Sequence, residues 1–243
     1  MSSYLEAITA MGNGSLHPGG FSHTLEVMRK VNISTEDVVL EIGCGTGRTA
    51  CYLAKTYGAH VFALDNSEKM LAKAKSRAHR EGAEVHFLLG NALDMPFRNE
   101  VADIIFIESV MIFLPVRAAL KECFRVLKRK GILVDIEMLA SESLPEKAGE
   151  EIKAICGLPQ IPSLNDWIEY FEHAGFNRAV VKQSKFPGIL DNLKELLNTD
   201  PYQVVSQELG ADRELNKVIQ QYRSLILRNR GHLGFGTFIV RKD

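Results

Sequence analysis

No apolar run in this 243-residue chain approaches the roughly 18 residues of a membrane-spanning helix, so no membrane association is expected. The opening stretch "MSSYLEAITAMGNGS" lacks the basic start and long apolar core of a secretory signal, which makes a cytoplasmic location the expectation. Cysteine is scarce. Cys44, Cys51, Cys123 and Cys156 form no C-x-x-C pair and stand at no ligand spacing with histidine. Reduced thiols are therefore expected, with no disulfide framework and no metal. An excess of charge is also missing. With a formal net charge of −1 there is no electrostatic case for nucleic acid as a partner. Repeats and low-complexity segments are absent. What remains is a chain that is 46% hydrophobic and long enough for one larger globular domain.

That domain alternates apolar runs with helical patterns. "DVVLEIG", "AHVFALD", "EVHFLLG", "ADIIFIES" and "ILVDIEM" read as strands buried on both faces. Between them lie "RTACYLAKTYG", closed by Gly58, and "SEKMLAKAKSRAHREG", running from a Ser67 cap to Gly82. "PVRAALKECFRVLKRKG" carries Pro115 near its start and Gly131 as its stop. Such alternation predicts a parallel sheet with helices on both sides. Residues 1–30 read as amphipathic helix, broken at "GNGSLHPGG" into a helical cap. Residues 139–164 read as irregular, followed by a helix at "LNDWIEYFEHAGF". "NRAVVKQS" and "GFGTFIVRK" would pair antiparallel at the sheet edge. The span between them is far too long for a hairpin loop, so 185–233 reads as a helical insertion, with helices at "ILDNLKELLN" and "RELNKVIQQYRSLILRNR".

The chemistry concentrates in "VVLEIGCGTGRTA", with Glu41 ahead of Gly43, Gly45 and Gly47. A glycine turn between strand and helix lets a ligand approach the backbone and turns helix N–H groups toward it. A dinucleotide fingerprint needs a further glycine where Arg48 stands, which disfavours a nicotinamide oxidoreductase. Asp65 ends the second strand, where an acid accepts hydrogen bonds from both hydroxyls of a ribose; as a simple helix-start residue it would need no ligand. The expected ligand is a nucleoside without pyrophosphate, because Glu41 opposes phosphate and favours a cation. Glu41 has the alternative role of ordering the turn.

"LEIGCGTG", "ALDNSEKML", "GNALDMPF", "ADIIFIESVMIF" and "ALKECFRVLKRKGILVDIE" resemble, in order and spacing, the class I S-adenosylmethionine-dependent methyltransferases of the small-molecule type. The resemblance implies one domain over 1–243. Its sheet would have seven mostly parallel strands, helices on both faces, an antiparallel last strand and the helical insertion outside the shared pattern. It implies that Glu41 and the backbone of Gly43, Cys44, Gly45 and Gly47 hold the methionine part of S-adenosylmethionine, and that Asp65 holds the ribose. Asn66 and Met70 would line the adenine, and Asn91 and Ala92 would meet its edge. Relatives place Asp where this chain has Asn91; an amide carbonyl still accepts, with Asp94 as the alternative acceptor.

Four segments stand where the acceptor would lie. In "SLHPGGFSHT", His17 or His23 would act as a base or hold the cofactor carboxylate, or the stretch is only a joint between helices. A similar His-Pro-Gly-Gly caps the cofactor in some of the resembling enzymes. In "ESVMIF", Glu108 reaches either the methionine end or the nucleophile; Met111 and Phe113 would make apolar walls of the pocket, although Met111, Ile112 and Phe113 each read individually as core. In "VDIEM", Glu137 is a substrate contact or a loop anchor. The insertion is a lid, a homodimer surface or a solvated helical pair. Trp167 reads as core. "ESVM" stands where amino-methylating enzymes of nucleic-acid bases carry an Asn-Pro-Pro-Tyr type sequence, which leaves a small organic acceptor by elimination. The competing readings are a catalytically silent cofactor-binding subunit and, lower in rank, an aminopropyl transferase.

Overall fold

A computed structural model describes residues 3–12, 14, 17–186, 200–206 and 212–243 of the chain. Seven strands form one sheet: β1 (Val38–Ile42), β2 (His60–Asp65), β3 (Val85–Leu89), β4 (Ala102–Glu108), β5 (Leu127–Ala140), β6 (Phe176–Lys185) and β7 (Leu233–Lys242). Their order is β3-β2-β1-β4-β5-β7-β6, and β7 runs antiparallel to both of its neighbours. Side chains alternate across the sheet because successive strand residues point to opposite faces. Leu40, Ile42, Ile105 and Ile107 join one core, with Trp167 and Phe171; Val39, Ile104 and Phe106 join the other, with Ala50 and Leu53. Both faces are thus covered, as the continuous apolar strands require.

The helices are α1 (Ser3–Met11), α2 (Gly20–Met28), α3 (Arg48–Tyr57), α4 (Glu68–Glu81), α5 (Val116–Val126), α6 (Glu146–Cys156), α7 (Leu164–His173) and, after residues outside the described set, α8 (Arg213–Asn229). Their ends follow local chemistry. Ser67 caps α4 by accepting from the Met70 amide, and Gly58 and Gly82 close α3 and α4 in left-handed conformation. Ser163 and Asp166 make a reciprocal capping box on α7. Trp167, fully buried as expected, packs on Phe171 and Phe238 and donates from Nε1 to the Met138 carbonyl at 3.2 Å.

Two sequence expectations need correction. The helix expected to run to Gly131 stops at Val126, and β5 begins at Leu127. Its last carbonyls find partners outside the helix. The amides of Glu100 and Val101 donate to Arg125 and Val126, and buried Lys242 donates from Nζ to the Phe124 and Leu127 carbonyls, 2.8 Å each. The stretch 139–164 is not irregular throughout, since it contains α6. The span 185–233 does contain the expected second helix as α8, while the helix expected at "ILDNLKELLN" lies outside the described residues. No helix among the described residues is long and apolar enough to cross a membrane.

Candidate functional site

The carboxyl ends of β1, β2 and β4 converge on the glycine turn, where the backbone reverses through left-handed residues. Gly43 has φ +71°, and a Cβ there would stand 2.3 Å from Val110 Cγ2. Gly45 has φ +52° and nothing within 4 Å of its would-be Cβ, so it faces open space. The amides of Gly43 and Cys44 both donate to the Leu64 carbonyl, at 2.7 and 3.0 Å. Asp65 then ties the turn from β2: Oδ2 accepts from the Gly45 amide at 2.8 Å and Oδ1 from the Ser67 amide at 2.9 Å. Burial raises the Asp65 pKa above the ordinary carboxylate range, opposed by those amides.

Two further carboxylates sit beside the turn. Glu41 is 5% exposed and its Oε2 has no hydrogen-bond partner. Burial, then the neighbouring Glu108, pushes its pKa well up, against one hydrogen bond from the Ala50 amide. Glu108 is fully engaged by contrast. Its Oε1 accepts from Thr24 Oγ1 at 2.5 Å, its Oε2 accepts from Thr49 Oγ1 at 2.7 Å, and His17 Nε2 lies 3.3 Å from Oε1. The Thr46 hydroxyl is buried in the same wall without a partner. A buried carboxylate oxygen and a hydroxyl, both unsatisfied, in a wall holding three acids fit a ligand that brings positive charge and hydrogen-bonding groups.

A cavity of about 280 Å³ opens above this floor. Its far side is built by elements distant in sequence: Tyr4, Leu5 and Ile8 from α1, Ile112 and Phe113 after β4, Met138 at the end of β5, Leu158 after α6 and Tyr222 from α8. The Tyr4 and Tyr222 rings lie 4.7 Å apart between centroids at an interplanar angle of 49°, which makes their phenols neighbours in this wall. A strap, residues 200–206, joins roof to floor. Asp200 pairs with both guanidinium nitrogens of buried Arg77, whose Nε donates to the Thr46 carbonyl of the glycine turn at 2.9 Å. The Ser206 amide and the Gln203 side chain donate to the Ala10 and Met11 carbonyls at the end of α1, at 2.8 and 2.9 Å.

An uncharacterized methyltransferase of Bacillus subtilis (strain 168), YodH, is 31% identical over 178 residues, covering 73% of this chain and 76% of its own. The chain belongs to the methyltransferase family. The family model described as "Methyltransferase domain" matches residues 40–135, from within β1 into β5. Among solved structures, the [4+2]-cyclase SpnF superposes with a TM-score of 0.75 at 20% identity, covering 98% of this chain and 91% of that one. Phosphoethanolamine N-methyltransferase 2 of Haemonchus contortus, solved with S-adenosyl-L-methionine, gives 0.74 at 19% identity and covers 99% of this chain and 56% of that one. These likenesses bear on the fold.

Within this methyltransferase domain, Glu41, Gly43, Cys44, Gly45, Asp65, Asn66, Met70, Asn91, Ala92, Glu108 and His17 all line the one cavity. Gly47 does not: it starts α3, and a Cβ there would meet Ala74 at 3.0 Å, so its role is helix packing. Asn91 uses Oδ1 to accept from the Leu93 amide at 3.0 Å, closing its own turn, and the alternative acceptor Asp94 lies off the lining. Both nitrogens of His17 face protein oxygens. Nδ1 lies 3.2 Å from the Pro18 carbonyl, and Nε2 lies 3.0 Å from Thr24 Oγ1 besides its contact with Glu108. A base role for His17 is thereby corrected to one of holding Glu108. His23 is also corrected: Nε2 bonds Thr237 Oγ1 at 2.8 Å, the ring packs edge-on to Phe235, and it is off the lining. Burial, then neighbouring His17, lowers its pKa.

Glu137 is the third correction. It is fully buried, and its Oε1 accepts from the Val110 and Met111 amides at 2.8 and 2.7 Å. It anchors the turn that presents Ile112 and Phe113 and touches no part of the cavity. Beside it Asp135 is equally buried. Burial pushes both acids up; the Glu137 charge raises Asp135 further, while the turn amides and the hydrogen bond from Asp135 oppose the rise of Glu137, which still reaches about 8. Thr24 and Thr49, which hold Glu108, escaped sequence reasoning because threonines inside helices carry no motif. All four cysteines are buried as free thiols. No cluster of histidine, cysteine or acid side chains suited to a metal ion occurs among the described residues.

Proposed function

We propose that the chain is an S-adenosylmethionine-dependent methyltransferase acting on a small molecule. The observation that carries the reading is the unpartnered, buried Glu41 carboxylate oxygen at the glycine turn, in a chain whose family is that of methyltransferases. When bound, S-adenosylmethionine supplies a methyl group already activated by a positive sulfur. Glu41 meets the cationic end of that ligand, which satisfies its oxygen and returns it to the charged state. Asp65, held in place by the Gly45 and Ser67 amides, is the acceptor for the ribose hydroxyls. Asn66 and Met70 lie along the adenine, and Ala92 with the Asn91 side-chain NH₂ meets its edge. Glu108, immobilised by Thr24, Thr49 and His17, fixes the wall between cofactor and acceptor. The remaining work of this chain is alignment and exclusion of water, which can supply much of a displacement's barrier reduction.

The test is incubation of the purified chain with S-adenosylmethionine and a panel of small-molecule acceptors, reading S-adenosylhomocysteine. Acceptor-dependent release is the expected result. Saturable cofactor binding with no release on any acceptor would replace this reading with a silent binding subunit.

A further inference from the structure

Resting on the methyltransferase reading, we infer that the acceptor is an uncharged, largely apolar molecule with one hydrogen-bonding group, read by the Tyr4–Tyr222 hydroxyl pair. The two ends of the cavity differ sharply in chemistry. Every carboxylate of the described lining, Glu41, Asp65 and Glu108, belongs to the glycine-turn end. The roof end is walled by Leu5, Ile8, Ile112, Phe113, Met138 and Leu158. No lysine or arginine stands among the described lining residues. An anionic acceptor would enter apolar surroundings with no cation to meet it and with three acids nearby, which buried charges do not tolerate. A cationic acceptor fares no better. Both Glu108 oxygens already accept hydroxyl donors, Glu41 faces the cofactor end, and the roof offers no acid of its own.

The tyrosines are the main polar point in this wall: the Thr9 and Ser109 hydroxyls on the lining already donate to the Leu5 and Ile136 carbonyls, and the Cys156 thiol is only a weak donor. Burial holds both phenols in the neutral form, Tyr222 with a pKa of about 12, so they are hydrogen-bonding groups and not bases. Two neighbouring hydroxyls carry protons to donate, together with lone pairs that accept. One polar group on the acceptor can be matched there. The flanking Phe113 ring stacks 6.4 Å from Tyr4, which favours a flat or ring-bearing molecule.

The experiment compares two fluorescent probes sharing one aromatic frame: neutral N-phenyl-1-naphthylamine and its sulfonated analogue 8-anilino-1-naphthalenesulfonate. Each is titrated into the full chain saturated with S-adenosylhomocysteine, whose own binding is first measured by calorimetry. The neutral probe should bind at least about tenfold more tightly. Ile8→Lys, and independently Phe113→Arg, should reverse that preference by placing a cation in the roof. In displacement of the neutral probe, 1-naphthol should outcompete naphthalene by about fivefold, and the double variant Tyr4→Phe/Tyr222→Phe should abolish the difference. Equal or tighter binding of the sulfonate by the unmodified chain would overturn the inference, as would a preference unmoved by either cationic variant or equal displacement by naphthol and naphthalene. Failure to bind S-adenosylhomocysteine would instead defeat the methyltransferase reading, while the probe preference would still report on the roof.

Discussion

Floor and roof of the same cavity are built on opposite plans. The floor is polar, crowded with acids, and made by strand ends and the turns that follow them, with Asp65 fixed by backbone amides and Glu108 by threonines. The roof is apolar and gathered from α1, α6 and α8, which meet only through tertiary packing. A rigid floor suits a ligand that does not vary, whereas the shape and polarity of the roof decide what is admitted beside it. A strap ties the two together, from the Ala10 and Met11 carbonyls of α1 through Asp200 and Arg77 to the Thr46 carbonyl.

The sharpest way to break that arrangement is to cut the link. Asp200→Ala leaves the Arg77 guanidinium buried beside the glycine turn with Glu81 as its one acidic partner among the described residues. Denaturant unfolding should show a loss of about 3 kcal/mol, the magnitude expected when one member of a buried pair is removed. Burial alone would raise the Asp200 pKa, but the Arg77 hydrogen bonds and charge overcome it and lower it. The stability from this pair is therefore present above the ordinary aspartate pKa and is lost as pH falls through the lowered one.

Within the floor, Asp65→Ala removes both the tie to the Gly45 amide and the ribose acceptor. Cofactor affinity measured by calorimetry should fall at least about tenfold, with Asp65→Asn intermediate because an amide oxygen still accepts. Glu41→Gln separates binding from stability. It should weaken S-adenosylmethionine by about tenfold while raising the melting temperature of the ligand-free chain by a few degrees, on the order of 1 kcal/mol, since the folded chain no longer has to hold a proton on a buried carboxyl that the unfolded chain releases. Because the Glu41 pKa is raised, that stability gain grows with rising pH.

The smallest effect concerns Asp135 and Glu137, beneath the turn that joins floor to roof. The folded pair keeps a proton at pH values where both unfolded carboxyls have lost theirs, so the native state binds more protons and stability declines as pH rises from the ordinary carboxylate range toward about 8. Asp135→Asn should flatten that decline in thermal melts taken across the same window. An unchanged slope would show that the acids are not sharing a proton.

The same contrast governs what could be read from the sequence. The floor was legible because its parts are local: a glycine turn after a buried strand and an acid ending the next one each have a fixed consequence for the backbone. Side-chain direction was not. Glu108 ends β4 and Glu137 lies near the end of β5, yet one faces the cavity and the other the turn amides, and spacing alone did not separate them. The roof was beyond reach because Tyr4 and Tyr222 come from opposite ends of the chain. The pattern of α6 was obscured by Pro145 at its start and Gly149 within it. The early end of α5 depends on Lys242, a residue of the last strand.

Calorimetric titration of S-adenosylmethionine into the unmodified chain addresses the central claim most directly. One molecule should bind per chain, and adenosine, which carries the same ribose and base without the charged arm, should compete weakly for the same site. No heat of binding at saturating ligand, or competition by adenosine as strong as that of the intact methyl donor, would contradict the assignment of the acidic floor to a cationic nucleoside.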